Sequence, residues 1–184
     1  MPFIETGFRD LKVFEPKVFA DSRGYFFESY NENVFKAEGI NTNWLQDNES
    51  LSGYGVLRGL HYQLNPFAQA KLVRVVLGEV LDVVVDIRKG SPTFAKHYKI
   101  RLSADNKKQL YIPRGFAHGF AVLSDTAIFQ YKCDNFYSKE SEGGIIFNDG
   151  ELQIDWEFDV TKAVVSEKDI ALPALADCKN NFEY

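Results

Sequence analysis

Cysteine is scarce in this chain of 184 residues, and the two that occur, Cys133 and Cys178, lie far apart with no CxxC or other ligand spacing. Neither a disulfide framework nor a zinc site is suggested, and reduced thiols are expected. Histidine is almost as sparse, with three in all. Basic charge is not in excess either, since the formal net charge is -5 at pH 7. That argues against a nucleic-acid binder, because counterion release needs a basic surface, but it leaves room for a small anionic ligand wherever a few Arg and Lys converge. Long hydrophobic runs are missing as well: residues 1–14 hold no apolar signal core, and no later stretch is continuously apolar over a membrane's width. A cytoplasmic protein with no membrane partner is the expectation. With no linker, repeat or low-complexity tract, residues 1–184 are expected to form one domain.

What is abundant is strand-forming material. Hydrophobic residues make up 45% and aromatics 15% of the chain, with 16 Phe and 9 Tyr. Short runs of Val, Ile, Leu, Phe and Tyr, separated by Gly, Pro, Asn, Asp or Ser, predict strands. They fall at Tyr25–Ser29, Trp44–Gln46, Val56–Tyr62, Lys71–Leu77, Val80–Ile87, Tyr98–Leu102, Gln109–Ile112, Phe120–Leu123 and Ala127–Cys133. Gly78-Glu79, between two apolar runs, reads as a tight hairpin connection. Asn31–Glu38 reads as a short helix with Asn31 as N-cap and Gly39 as its stop, and the stretch from Ser166 to Leu172 reads as a helical turn. So many strands in one chain favour an all-β fold, with a jelly roll preferred because stacking or closure hides strand edges.

Two of the three histidines sit in glycine-punctuated segments, His61 in Gly59-Leu60-His61-Tyr62 and His118 in Gly115-Phe116-Ala117-His118-Gly119. Each is either an ordinary sheet histidine satisfied by its surroundings or, given an orienting partner, a base. Lys71 shares a strand face with Val73 and Val75; it either snorkels at the strand end or holds an anion. Tyr131 alternates with Phe129 and Cys133 on an apolar face, so it is a core tyrosine or a general acid. Arg23, Arg58 and Arg74 suit phosphate contacts but are also ordinary surface residues. Asp169, beside Lys168, looks like a solvated charge.

Taken together these segments carry more than any one alone. Asp21-Ser22-Arg23-Gly24-Tyr25-Phe26-Phe27-Glu28, Gln46-Asp47-Asn48, the run Gly55 to Gln63, Lys71-Leu72-Val73-Arg74, the run Asp82 to Arg88, the run Ile112 to Phe120, Tyr131-Lys132 and Ser166-Glu167-Lys168-Asp169 resemble, in order and spacing, the dTDP-4-dehydrorhamnose 3,5-epimerase family. The resemblance spans nearly the whole chain. It implies a cupin-type jelly roll with a few short helices, and a homodimer in which an N-terminal strand crosses to the partner. It also implies an enzyme of dTDP-rhamnose biosynthesis that needs no cofactor and inverts C3 and C5 of a dTDP-4-keto-6-deoxyhexose.

By motif position, the resemblance makes His61 the base, Asp169 the residue that holds its tautomer, Tyr131 the acid on the opposite ring face and Lys71 the stabiliser of the enolate oxygen. Arg58, His118, Gln46 and Asn48 would line the site, with Lys168 beside them. Arg23, Phe26 and Glu28 would contact the nucleotide of the neighbouring subunit's ligand, with Tyr137 and Phe19 as further candidates. One tension is internal to the sequence: on an unbroken strand Arg58 and His61 have opposite parity, and a kink at Gly59 is needed to bring them to one pocket. A metal-dependent cupin is the nearest alternative, but His61-Tyr62-Gln63 stands where an HxH pair is required, and His97 or Glu79 would have to be recruited from outside the pattern. A silent sugar-nucleotide binding module and an enzyme that inverts only one carbon are the other readings.

Overall fold

The computed structural model describes residues 2–184. Its strands are β1 (Phe3–Glu5), β2 (Lys12–Phe14), β3 (Phe19–Asp21), β4 (Gly24–Phe26), β5 (Gln46–Gly53), β6 (Leu57–Gln63), β7 (Lys71–Leu77), β8 (Glu79–Asp86), β9 (His97–Ser103), β10 (Gln109–Ile112), β11 (Phe116–Val122), β12 (Thr126–Cys133) and β13 (Glu142–Gly144). Two short α-helices, α1 (Glu32–Ala37) and α2 (Glu167–Ile170), complete the regular structure together with three single turns of 3₁₀ helix.

The strands form a six-stranded sheet in the order β1-β2-β10-β7-β12-β5, a five-stranded sheet in the order β13-β6-β11-β8-β9, and a small hairpin, β3-β4. Every strand pairing is antiparallel, and the two large sheets stack as a cupin-type jelly roll. Their inner faces meet in a core that includes Val73, Val75, Val84, Phe116, Phe120 and Phe129. The outer face of the five-stranded sheet is covered too, with Leu81, Val83 and Val85 packed against Ile145, Trp156, Leu175 and Phe182 from the C-terminal segment. That double burial explains why β8 reads as an almost unbroken apolar run rather than as an alternation. A third cluster seats Phe35 of α1 against Phe14 and Leu72 on the outer face of the six-stranded sheet.

The helix at Asn31 forms as its caps predict: the Asn31 side chain accepts from the Asn33 N–H at 3.0 Å, and Gly39 has φ +83°. The hairpin expected at Gly78-Glu79 does not exist. β7 and β8 belong to different sheets, and Gly78, with φ +76°, is the corner at which the chain passes from one sheet to the other. A side chain there would run into the Thr126 carbonyl and the Ser124 hydroxyl. The strand expected at Trp44–Gln46 begins only at Gln46 and runs on to Gly53, and that expected at Tyr25–Ser29 is the shorter Gly24–Phe26.

Candidate active site

β6 and β11 pair antiparallel with His61 opposite His118 and Arg58 opposite Phe120, so three steps along β6 span two along β11. The extra residue is a bulge at Gly59, whose φ is +113°. A Cβ at this position would come within 2.6 Å of both the Gly119 Cα and the His118 carbonyl oxygen, so only glycine fits. The bulge reverses the strand's parity, and Arg58 and His61 consequently line the same cavity of about 410 Å³. The five-stranded sheet supplies Arg58, His61 and His118, the six-stranded sheet supplies Asn48, Lys71 and Tyr131, and α2 closes the mouth with Lys168 and Asp169. Beneath the cavity the rings of Phe120 and Phe129, one from each sheet, stack with centroids 4.2 Å apart.

Asp169 is not a solvated charge: it is 3% exposed. Ser166 caps α2 by accepting from the Asp169 N–H at 3.1 Å, and that turn swings the carboxylate onto β6. One oxygen lies 2.7 Å from His61 Nε2 and the other accepts from the Gly59 N–H at 3.2 Å. Burial alone would raise this carboxyl, but the hydrogen bonds from His61, Gly59 and Ser166 outweigh it and hold Asp169 below the usual aspartate range. With the carboxylate accepting at Nε2, His61 carries its proton there and leaves Nδ1 to accept one.

Across the cavity stand Tyr131 and Lys71. Burial raises the Tyr131 hydroxyl above the ordinary tyrosine value, the nearby Cys133 adds to that, and Arg58 opposes it, so the phenol stays protonated at neutral pH. The Lys71 ammonium lies 5.7 Å from the Tyr131 ring centroid. Desolvation lowers its pKa, and the electrostatic influence of Cys133 and Asp82 works in the other direction. A cation this deep in the interior lowers the energy of any negative charge that develops beside it.

His118 is 7% exposed and its Nε2 lies 2.9 Å from Asp82 Oδ2. Burial lowers its pKa in spite of Asp82, so it serves as a neutral hydrogen-bonding group. Arg58 donates from Nε and Nη2 to Ser52 Oγ at 3.2 and 3.1 Å and so keeps its positive charge free of any carboxylate. Asn48 accepts from Gln46 Nε2 at 3.0 Å, while Gln46 Oε1 accepts from the Tyr137 N–H at 3.3 Å. Gln46 and Tyr137 thus buttress the rim without lining the cavity. Lys168 lines it and is anchored to both oxygens of Glu142, at 2.8 and 2.7 Å.

Arg23, Phe26 and Glu28 stand apart from this cavity. Arg23 pairs with Asp21 on the β3-β4 hairpin, Phe26 is 67% exposed beside the exposed Phe19, and Glu28 accepts from Asn31 Nδ2 at 3.1 Å. The residues that sequence reasoning missed are Asp82, Glu142 and Ser52. Asp82 carried a usable signal, a lone carboxylate inside an apolar strand on the face that Val80 and Val84 share; Glu142 and Ser52 carried none. Among the described residues no three His, Cys, Asp or Glu side chains converge in a way that could hold a metal ion. No helix of the described residues is long and apolar enough to cross a membrane.

Residues 5–177 match the family model described as dTDP-4-dehydrorhamnose 3,5-epimerase. A relative of that name from Shigella flexneri is 57% identical over 171 residues, 92% of this chain and 93% of the relative. The crystal structure of dTDP-4-dehydrorhamnose 3,5-epimerase from Elizabethkingia anophelis superposes with a TM-score of 0.91 at 55% identity, covering 95% of this chain and 96% of that one. A Legionella pneumophila epimerase solved in complex with dTDP-4-keto-L-rhamnose gives 0.91 at 48% identity, over 95% of this chain and 93% of that one. A whole-length match in sequence and fold, on a chain whose inner cavity opposes a His–Asp pair to a protonated tyrosine, is decisive: the protein belongs to the dTDP-4-dehydrorhamnose 3,5-epimerase family.

Proposed function

We propose that this single-domain enzyme is an isomerase of dTDP-rhamnose biosynthesis that converts dTDP-4-dehydro-6-deoxy-D-glucose to dTDP-4-dehydro-L-rhamnose. Inversion at C3 and at C5 each requires removal of a proton alpha to the C4 ketone and delivery of another to the opposite face. His61, oriented by Asp169, removes the proton at Nδ1. The electron pair moves into the C4 oxygen, where the Lys71 cation stabilises the enolate. Tyr131, kept protonated by burial, returns a proton from the other face, and His118 donates no net charge to the balance. Arg58 and Lys168 are the positive charges available to the diphosphate, with Asn48 as a neutral partner.

The observation that carries this reading is the partition of base and acid between facing sheets, His61 on β6 and Tyr131 on β12, around one cavity. The exposed β3-β4 hairpin, with Phe19, Tyr25 and Phe26 all more than half exposed, supports a homodimer in which Arg23, Phe26 and Glu28 reach the partner's nucleotide. Tyr137, exposed at the rim, is available to the same ligand. The unpaired Cys133 and Cys178 are in keeping with a cytoplasmic setting.

The test is incubation with dTDP-4-dehydro-6-deoxyglucose in heavy water, with deuterium located at C3 and C5. The parent protein incorporates at both carbons, and His61→Ala at neither. Tyr131→Phe exchanges with retention while inversion falls sharply. Inversion of both centres by Tyr131→Phe at the parent rate would remove the acid assignment.

A further inference from the structure

Of the three arginines suited to a phosphate, Arg74 alone has no place in the function proposed above. It belongs to β7, as Lys71 does, but strand parity turns it away from the cavity and, with Leu72, to the outer face of the six-stranded sheet. There it stands in register with Gln109 of β10 and Gln130 of β12, and the three wall a hollow of about 320 Å³. Arg74 donates from Nε and Nη2 to Gln130 Oε1 at 3.2 and 3.1 Å, so its guanidinium is fixed by a neutral partner and keeps its charge.

Against these residues lies the chain that follows the β3-β4 turn. Arg74 Cζ is 6.0 Å from the ring centroid of Phe27, Lys107 Nζ is 3.9 Å from that of Tyr25, and Gln109 Nε2 donates to the Ser29 carbonyl at 2.6 Å. The Tyr25 and Phe27 rings are themselves 6.0 Å apart. Residues 25, 27 and 29 are thus held to the body of their own subunit, each by a different side chain. Phe26 and Glu28, which alternate with them, are exposed.

We propose that Arg74, Lys107 and Gln109 are positioning residues for the nucleotide site of the neighbouring subunit: they hold one side of residues 25–29 so that the other side, Phe26 and Glu28, is presented to the partner's ligand. The inference rests on the reading that Phe26 and Glu28 reach that nucleotide. A ring offered outward at position 26 binds with little freedom left to lose only if positions 25 and 27 are already fastened. Cations over aromatic rings suit this task, because they hold a ring where burial contributes little, and Tyr25 is 60% exposed. Arg74 therefore serves the ligand without touching it, from the face of the sheet opposite the cavity.

Arg74→Gln should weaken dTDP binding about three- to tenfold in calorimetry and raise KM in step, with kcat within about twofold of the parent and the melting temperature unchanged. Arg74→Lys, which keeps a cation over Phe27, restores most of the affinity. Inhibition by inorganic pyrophosphate is unaltered, because a ligand without the nucleoside depends on Arg58 and Lys168 in the cavity. Phe26→Ala weakens dTDP binding on its own, and adding Arg74→Gln to it changes little, since the anchor then has no ring to present. Should Arg74→Gln fail to fold, Lys107→Met, which removes the cation over Tyr25, gives the same pattern. Losses that multiply in the double variant overturn the proposal, and so does an Arg74→Gln protein that binds dTDP normally while Phe26→Ala does not. An equal loss of pyrophosphate and dTDP affinity also overturns it, since that is general damage to the fold. If Phe26→Ala binds dTDP as the parent does, the reading of the segment itself fails, and the proposal falls with it.

Discussion

His61 and His118 face each other directly across the β6-β11 pairing, and each turns its Nε2 toward a different buried aspartate, Asp169 for one and Asp82 for the other. Two imidazoles of the same construction thus meet two environments. The His118 side chain is 7% exposed and is kept neutral by burial, whereas that of His61 is 36% exposed at the cavity wall. In the proposed reaction environment divides the labour, giving His61 proton transfer and His118 a fixed hydrogen bond.

Asp169→Asn preserves shape but supplies an amide where a carboxylate fixed the His61 tautomer. We expect kcat to fall by about 10²–10⁴-fold, the span of a general base lost or misdirected, with the fold intact by circular dichroism. A loss below threefold would mean that His61 does not depend on Asp169.

Among the described residues the Arg58 side chain is bonded to the Ser52 hydroxyl and to no carboxylate, so its charge is available to a ligand. Removing one charge-assisted contact costs about 1.5–3 kcal/mol, so Arg58→Ala should weaken dTDP binding roughly 10- to 100-fold in calorimetry, with little change in melting temperature. Unaltered affinity would exclude Arg58 from the site.

Away from the cavity, Asp86 is 0% exposed and takes Arg88, Ser91 and Thr93 as donors. Burial would raise its carboxyl, but those hydrogen bonds prevail and hold it below the usual value of 3.8. A folded pKa below the unfolded one contributes stability that is complete above the unfolded value and is lost as pH falls through the folded one. Asp86→Asn, which leaves Arg88 buried without its counter-charge, should cost about 3–5 kcal/mol at pH 7 and lower the melting temperature by about 6–20 °C. As pH falls below the usual aspartate value of 3.8 the difference from the parent should narrow. A gap that is constant from pH 7 to pH 3 would contradict the assignment.

The strands of the two main sheets were legible wherever at least one face is apolar, as in β7, β8 and β12. β5 was not, because its inward residues Asn48, Ser50 and Ser52 are polar; they line or brace the cavity, so function erased the alternation that marks a strand. Gly78 misled for a related reason: a short glycine connection marks a reversal of direction, but not whether the chain returns to the same sheet or crosses to the other. In the site, His61 and Tyr131 stood out only as members of a constellation. Asp169 was illegible locally because the one-turn helix that buries it leaves no periodicity. The kink at Gly59 followed from parity once the resemblance put Arg58 and His61 in one pocket, and the bulge is there.

The stacked rings of Phe120 and Phe129 join the two sheets directly beneath the reacting groups. A base carried on one leaf and an acid on the other are held apart by whatever fills the space between the leaves, so the thickness of this interior acts as a caliper on the sugar ring. Volume added or removed at this aromatic pair would be felt above it as a change in the distance between His61 and Tyr131.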